Sequence, residues 1–200
     1  MSGIRGRPRD TALDTAIADA TEAVLLSHGY SAVNIDRIAK LAGTTRAAIY
    51  RRAKTPGELV IALLISRFGI DPAPDSGNLR EDLRLVQELQ RDFFVDPMVQ
   101  AALAGALGDM RDDAALGEAF YERFMEPRRR SVAAMLTRAA DRGEIPPPSH
   151  PEVISDLLTG PLVLRAVLPA IGSIDDAIVN ATIEAALTAC GFGVPRAGSC

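Results

Sequence analysis

The sequence predicts an all-α protein of about nine helices, arranged as a three-helix N-terminal head containing a helix-turn-helix and a longer helical body. Apolar residues recur at three- and four-residue spacing along most of the chain. No run alternates with period two for more than a few residues, and no hairpin dipeptide separates apolar runs. An Asn, Asp, Ser or Thr also precedes each periodic segment, where its side-chain oxygen can accept from the unpaired first-turn N–H groups of a helix.

In the first segment Leu13, Ile17, Ala20, Val24 and Leu25 repeat behind Asp10, and Gly29 stops the helix. Asn34 opens a short helix carrying Ile38, Ala39 and Ala42, ended by Gly43; Thr45 opens another through Ile49 and Tyr50. Thr55 and Glu58 form a capping box, with Pro56 in the first turn, ahead of Leu59 to Phe68. Asn78 begins a helix to about Phe94, and Asp96 with Pro97 begins the next. A long pattern runs from Asp113 through Phe120, Phe124, Val132 and Leu136 to Arg142, with Pro127 as its break or kink. Ser149 starts an apolar helix and Ser173 starts the last, which ends at Gly191; Asp71 to Gly77 and Gly143 to Pro148 read as loops. The expected division is 1–54 for the head and 55–200 for the body.

The 200 residues are 48% hydrophobic, 24% charged and 4% aromatic without Trp, a globular balance with an aliphatic core. The apolar runs are too short to span a bilayer and no basic-then-apolar leader opens the sequence, so secreted and membrane classes are not expected. Cys190 and Cys200 share no motif spacing, which fits unpaired thiols and a cytoplasmic setting. The net charge of −4 is uneven: residues 1–55 hold 9 Lys/Arg against 5 Asp/Glu, whereas the rest holds 13 against 21. A basic head on an acidic body points to one region that meets phosphate.

Asn34 to Arg52 reads as a helix-turn-helix, the first short helix supporting the second in a major groove. Ala39 permits close helix packing and Gly43 the tight turn, while Ile38 and Ile49 anchor both helices to the Leu13/Ile17/Val24 face. Thr45, Arg46, Tyr50 and Arg51 then point outward, with Arg37, Thr44, Arg52 and Lys54 nearby as phosphate ligands. No acidic residue lies between Asp36 and Glu58. A solvated helical hairpin with surplus arginine is the bland alternative.

Residues Ile35 to Leu59 closely resemble the DNA-binding signature of the TetR family of bacterial transcriptional regulators. Ile38-Ala39, Ala42-Gly43, Thr45, Ala47-Ala48, Ile49-Tyr50 and Glu58-Leu59 carry the match. Ala53 stands where the family usually has Phe or Trp, which weakens packing onto the next helix, and Pro56 replaces a frequent phosphate-binding Lys. The body from Asn78 to Cys190 looks like one class of TetR-family C-terminal domain. The resemblance implies a double-stranded palindromic operator, a small-molecule effector bound among the middle helices, and dimerisation through the last two. Independently, Val153 to Leu168 and Ile174 to Leu187 are apolar on more than one face, so 151–190 is the expected homodimer surface, or else monomer core.

Ahead of the first helix Arg5, Arg7 and Arg9 lie in a Pro-stiffened basic stretch that resembles an AT-hook core, with Ile4 where a Pro usually stands. It suits a narrow minor groove or serves as a non-specific basic tail. Phe93, Phe94, Met110, Phe120, Tyr121, Phe124 and Met125, with Arg165 as polar anchor, are the effector-site candidates; aromatic and Met residues at this spacing equally build core, and Arg165 equally fits as the partner of Asp156 or another buried acid. Few polar groups accompany them, so the effector is expected to be largely apolar. No catalytic, metal or cofactor motif is found: there is no G-x-S-x-G, phosphate-loop or H-E-x-x-H pattern, and His28 and His150 stand alone. Asp109, Asp112 and Asp113 read as a solvated turn ahead of a helix. The competing reading is a helical small-molecule-binding or enzymatic protein whose head has lost its DNA role.

Overall fold

A computed structural model describes residues 11–69 and 73–193. The expected arm of Arg5, Arg7 and Arg9, the Asp10 cap and Cys200 lie outside the described residues. Ten α-helical segments and no strand occur among the described residues: α1 (Thr11–His28), α2 (Ile35–Leu41), α3 (Arg46–Tyr50), α4 (Pro56–Arg67), α5 (Leu79–Val95), α6 (Pro97–Asp112), α7 (Ala114–Phe120), α8 (Glu126–Asp141), α9 (Pro151–Val167) and α10 (Asp176–Ala189). A π-helical turn, Tyr121–Met125, joins α7 to α8 without a gap, so the ten segments make nine rods.

The helix starts follow local chemistry. Side-chain oxygens of Asn34, Thr45, Thr55, Asn78, Asp96, Asp113 and Asp175 each accept from N–H groups of the turn that follows. Two starts differ from expectation. Asp175 rather than Ser173 caps α10, accepting from the N–H groups of Ala177 and Ile178 at 3.1 Å. At α9 the cap position is His150 rather than Ser149, no side chain bonds there, and Pro151 begins the helix without an N–H to satisfy. Pro127 does not break its rod; the irregularity sits just ahead of it. A proline lacks the N–H for the carbonyl four residues back and crowds it, and the chain answers by widening the preceding turn, where Glu126 N–H reaches Tyr121 O. Short 3-10 turns at Tyr30–Ala32 and Pro169–Ile171 carried no local signal.

One apolar cluster gathers Ile17, Val24 and Leu25 of α1, Ile38 of α2, Ile49 of α3 and Leu59, Val60, Leu63 and Leu64 of α4, together with Met98, Val99 and Ala102 of α6. Helices on both sides of the expected division after Lys54 contribute to this cluster. A second cluster joins Leu79 and Leu83 of α5 to α8, α9 and α10. Between them Phe94, Leu103, Leu162 and Ala166 form a smaller contact.

Polar groups in the body are tied down in the same way. Gln87 is fully buried and donates to Leu158 O at 3.0 Å and to Thr182 Oγ1, crossing from α5 to α9 and α10. Asp82, also fully buried, accepts from Ser76 N–H at 2.7 Å and holds the start of α5 to the preceding loop. Cys190 is a free thiol within the second cluster, and burial pushes its pKa up to about 11. Only about one thiol in a thousand would be ionised at pH 8, against about a quarter of ordinary cysteines. In a Cys200→Ser background, Cys190 is expected to react with a thiol reagent at pH 8 about 100-fold more slowly than free cysteine; labelling at the free-cysteine rate would contradict this burial.

Candidate nucleic-acid interface

The head is assembled by short-range bonds. Asn34 Oδ1 accepts from Arg37 N–H at 2.9 Å to start α2, and Gly43, at φ +62, turns the chain while Thr44 N–H reaches back to Ala39 O at 2.9 Å. A side-chain-bearing residue is strained at that φ, which is the reason for glycine there. Thr45 Oγ1 then accepts from Ala48 N–H at 3.2 Å and begins α3. Helix α3 has only five residues, too few to stand alone; buried Ala48 and Ile49 hold it to the rest of the head.

With that face buried, Thr45, Arg46, Ala47, Tyr50 and Arg51 are left exposed, Thr44 half-buried, and Lys54 and Arg37 exposed beside them. This surface is small, convex and cationic, and Tyr50 contributes an aromatic ring that is 54% exposed. Two of its cations carry intramolecular partners. Arg46 pairs with Asp36 of α2 across the turn, both side chains remaining well exposed. Arg52 pairs with Asp14 of α1 and donates from Nη1 to Ala48 O at 3.1 Å, so it ties the end of α3 to α1. Ala53 is buried in the same core, and Pro56 occupies the first turn of α4, where its missing N–H costs nothing. The Thr55–Glu58 box is closed on one side by Thr55 Oγ1 and on the other by Glu58, which accepts from Lys54 N–H at 2.7 Å.

The effector-site candidates are placed as follows. Phe93 is the hub of an aromatic group, its ring centroid 4.8 Å from Phe68, 4.9 Å from Phe94 and 5.5 Å from Phe124; Phe120 stacks on Phe124 at 5.0 Å. Met125 packs against the first core cluster, Met110 is half-buried and Tyr121 is 47% exposed. Arg165 donates to Ser173 O at 2.8 Å, closing the loop between α9 and α10, while Asp156 takes Arg129 as its partner at 2.6 Å. A cleft of about 120 Å³ lies beside the aromatic group, lined by Ile65, Phe68, Gly69, Arg123, Phe124 and Arg128. Among the described residues no three His, Cys, Asp or Glu side chains are grouped to hold a metal ion, and no helix is long and apolar enough to cross a membrane.

One side chain that joins the head to the body escaped the sequence reading. Arg128 of α8 lays its guanidinium 3.7 Å over the Phe124 ring, donates to Phe124 O at 2.7 Å and reaches across to the carbonyls of Phe68 and Gly69 at the end of α4. The last carbonyls of a helix lack intrahelical donors, so the body supplies the C-terminal cap of the helix that carries the head. The only local hint is a run of three arginines after Pro127.

Comparison with known proteins gives the same fold and one family. Residues 17–63 match the family model described as bacterial regulatory proteins, tetR family, and residues 73–186 match a tetracyclin repressor-like C-terminal domain. A DNA-binding transcriptional repressor TetR of Mycobacteroides abscessus is 30% identical over 190 residues, covering 90% of this chain and 92% of its own. An uncharacterised HTH-type transcriptional regulator of Mycobacterium tuberculosis is 29% identical over 175 residues, covering 84% and 85%. The crystal structure of the TetR family transcription regulator SCO0332 superposes with a TM-score of 0.69 at 23% identity, covering 88% of this chain and 97% of that one. The two matched domains, the exposed α3 on a helix-turn-helix and these relatives lead to one conclusion: the chain belongs to the TetR family of bacterial transcriptional regulators.

Proposed function

We propose that the protein is a ligand-responsive repressor that binds a palindromic operator as a homodimer in the cytoplasm, each subunit placing α3 in a major groove. The observation that carries this reading is the exposed cationic face of Arg46, Tyr50 and Arg51 on a short helix whose opposite side is fully packed. In it Arg46, Tyr50 and Arg51 meet base edges or phosphates, Thr44, Thr45 and Lys54 meet the backbone, and Arg37 extends the phosphate track along α2. Arg5, Arg7 and Arg9 reach toward the adjoining minor groove. The M. abscessus relative, described as a DNA-binding transcriptional repressor, favours repression over activation.

Dimerisation is supported by an uncovered apolar face. Along α9, Val153, Leu164 and Leu168 are about half exposed, with Leu157 and Pro161 on the same side, and α10 beside it exposes Ala177, Ala181 and Ala185. Small residues on one helix and leucines on its neighbour make a surface that a second copy can approach closely. For the effector, the aromatic group around Phe93 and Phe124 favours a largely apolar molecule. Among structural neighbours, a FadR of Bacillus subtilis was solved with stearoyl-CoA and another protein is a flavonoid-responsive regulator. Release requires the effector to bind the non-operator arrangement of the heads more tightly than the operator-bound one.

A salt-titrated gel shift on the DNA upstream of the protein's own gene tests the reading. Binding is expected to weaken steeply with salt. Arg46→Ala is expected to cost about 10- to 100-fold on that DNA and far less on random duplex, in line with loss of a base-edge contact. Equal affinity of the parent protein for upstream and random DNA would overturn specific operator binding.

A further inference from the structure

Tyr30 opens the 3-10 turn between α1 and α2, immediately after Gly29 at φ +76. Although it belongs to the head by sequence, its ring lies across α6 of the body. A Cβ at Gly105 would lie 2.8 Å from the ring's Cε1 and nearer still to its Cδ1 and Cγ, far closer than van der Waals contact allows. One helical turn further along α6, Asp109 Oδ2 accepts the Tyr30 hydroxyl proton at 2.5 Å. Positions four apart on a helix share a face, so α6 presents a gap and, above it, an acceptor: a socket matched to a tyrosine. Gly57, in the first turn of α4, closes the third side. A Cβ there would meet Leu116 Cδ2 at 2.9 Å, Asp109 Oδ2 at 3.0 Å and the Tyr30 hydroxyl at 3.4 Å. Neither Gly57 nor Gly105 has a positive φ, so both are there for space. A glycine inside a helix is less favourable than alanine, and at Gly105 the seated ring is what the structure gains in exchange. Burial and the Asp109 carboxylate raise the phenol's pKa, keeping it a hydrogen donor.

We propose that Tyr30, seated on Gly105 and bonded to Asp109, is a latch that fixes the angle of the DNA-reading head on the body. Tyr30 is then a positioning residue for operator binding and makes no DNA contact itself. The latch acts where the turn between α1 and α2, the start of α4 and the end of α6 converge, so it holds α2 and α4 together relative to the body. A latched head presents α3 at a fixed separation from its partner subunit's, and a two-half-site operator rewards that, whereas a single half-site is indifferent to it. The inference rests on the operator-binding reading for its consequence, and on the geometry alone for the latch.

The test uses the full chain and two variants. Gly105→Ala evicts the ring, and Tyr30→Phe keeps the ring but removes its bond to Asp109. In a Cys200→Ser background, spin labels on cysteines introduced at exposed Ala47 in α3 and Thr137 in α8, in chains diluted with unlabelled protein, read the head-to-body distance without DNA. The parent is expected to give one narrow distance and Gly105→Ala a clearly broadened one, with Tyr30→Phe in between. On a palindromic duplex selected from a random library by the parent protein, Gly105→Ala is expected to lose about 10-fold in affinity and Tyr30→Phe about 3-fold. On a duplex carrying one half-site both are expected to stay within 2-fold. Equal losses on half-site and palindrome would mean a damaged head and would overturn the latch, as would unchanged narrow distances in both variants. Were Gly105→Ala not to fold, Tyr30→Phe alone decides by the same comparison. A parent that selects no DNA would overturn the operator reading, with the distance distributions still deciding the latch.

Discussion

With Leu164 and Leu168 both replaced by arginine, the proposed dimer is expected to run as a monomer in size-exclusion chromatography with light scattering, and to lose about 100- to 10,000-fold in affinity for the proposed two-half-site operator. Both leucines are 51% exposed within one subunit, so the chain's own core gives little reason for them to be apolar. They follow Val153 and Leu157 along one side of α9 and its C-terminal cap. Two guanidinium groups per subunit cannot be buried against a second apolar surface without partners, and the penalty of several kcal/mol per uncompensated charge exceeds what the surrounding contact can return. Operator loss follows from arithmetic rather than from any change in α3: joining two half-site binders raises overall affinity by about 10² to 10⁴, and separation forfeits it. Helical content by circular dichroism should be retained. A doubly substituted protein that remains dimeric would remove α9 from the proposed interface.

The second large effect is expected at Ile49. Its side chain is fully buried, and α3 has a single turn and a half in which to hold its shape. Ile49→Ala removes three carbon atoms from the middle of the cluster that joins α1, α2 and α4, a change worth about 3 kcal/mol when the cavity does not close. For a chain of this size that corresponds to a melting temperature lower by about 10 °C. DNA binding should fall further than stability alone explains, because the Thr45 cap and the Arg52–Asp14 pair fix the ends of α3 while Ile49 fixes its rotation. A thermal melt read beside a gel shift checks both parts; an unchanged melting temperature would contradict the packing described.

The contrast between Thr45 and Tyr30 shows what was legible in the sequence. Thr45, Thr55, Asn78 and Asp96 announce their helices because each is satisfied within three residues by the N–H groups it caps, and such bonds repeat wherever the spacing does. The turn signature from Ile38 to Tyr50 is legible for the same reason. Tyr30 finds its acceptor 79 positions away in Asp109, and Arg128 finds the end of α4 60 positions away in Phe68; no local spacing encodes those pairs. Arg46 and Arg52 look alike from sequence, two cations near one short helix. Only the fold, which brings Asp14 of α1 to the end of α3, separates Arg46, side chain 66% accessible beside Asp36, from Arg52, 25% accessible beside Asp14. Pro127 announced a disturbance correctly but not its place, because the clash it creates is relieved upstream, in the turn that would otherwise have bonded to it.

That relief has a geometric outcome. Each residue of an α-helix swings the side-chain direction by about 100°, so one surplus residue lodged in the wide turn Tyr121–Met125 offsets everything after it. Upstream, Phe120 looks into the cluster shared with the head; downstream, Val132, Met135, Leu136 and Ala139 look into the cluster shared with α9 and α10. The rod behaves like a camshaft whose two lobes are set out of phase, one bearing on the helix-turn-helix head and the other on α9 and α10. Its timing is set by a count of residues, not by any single side chain.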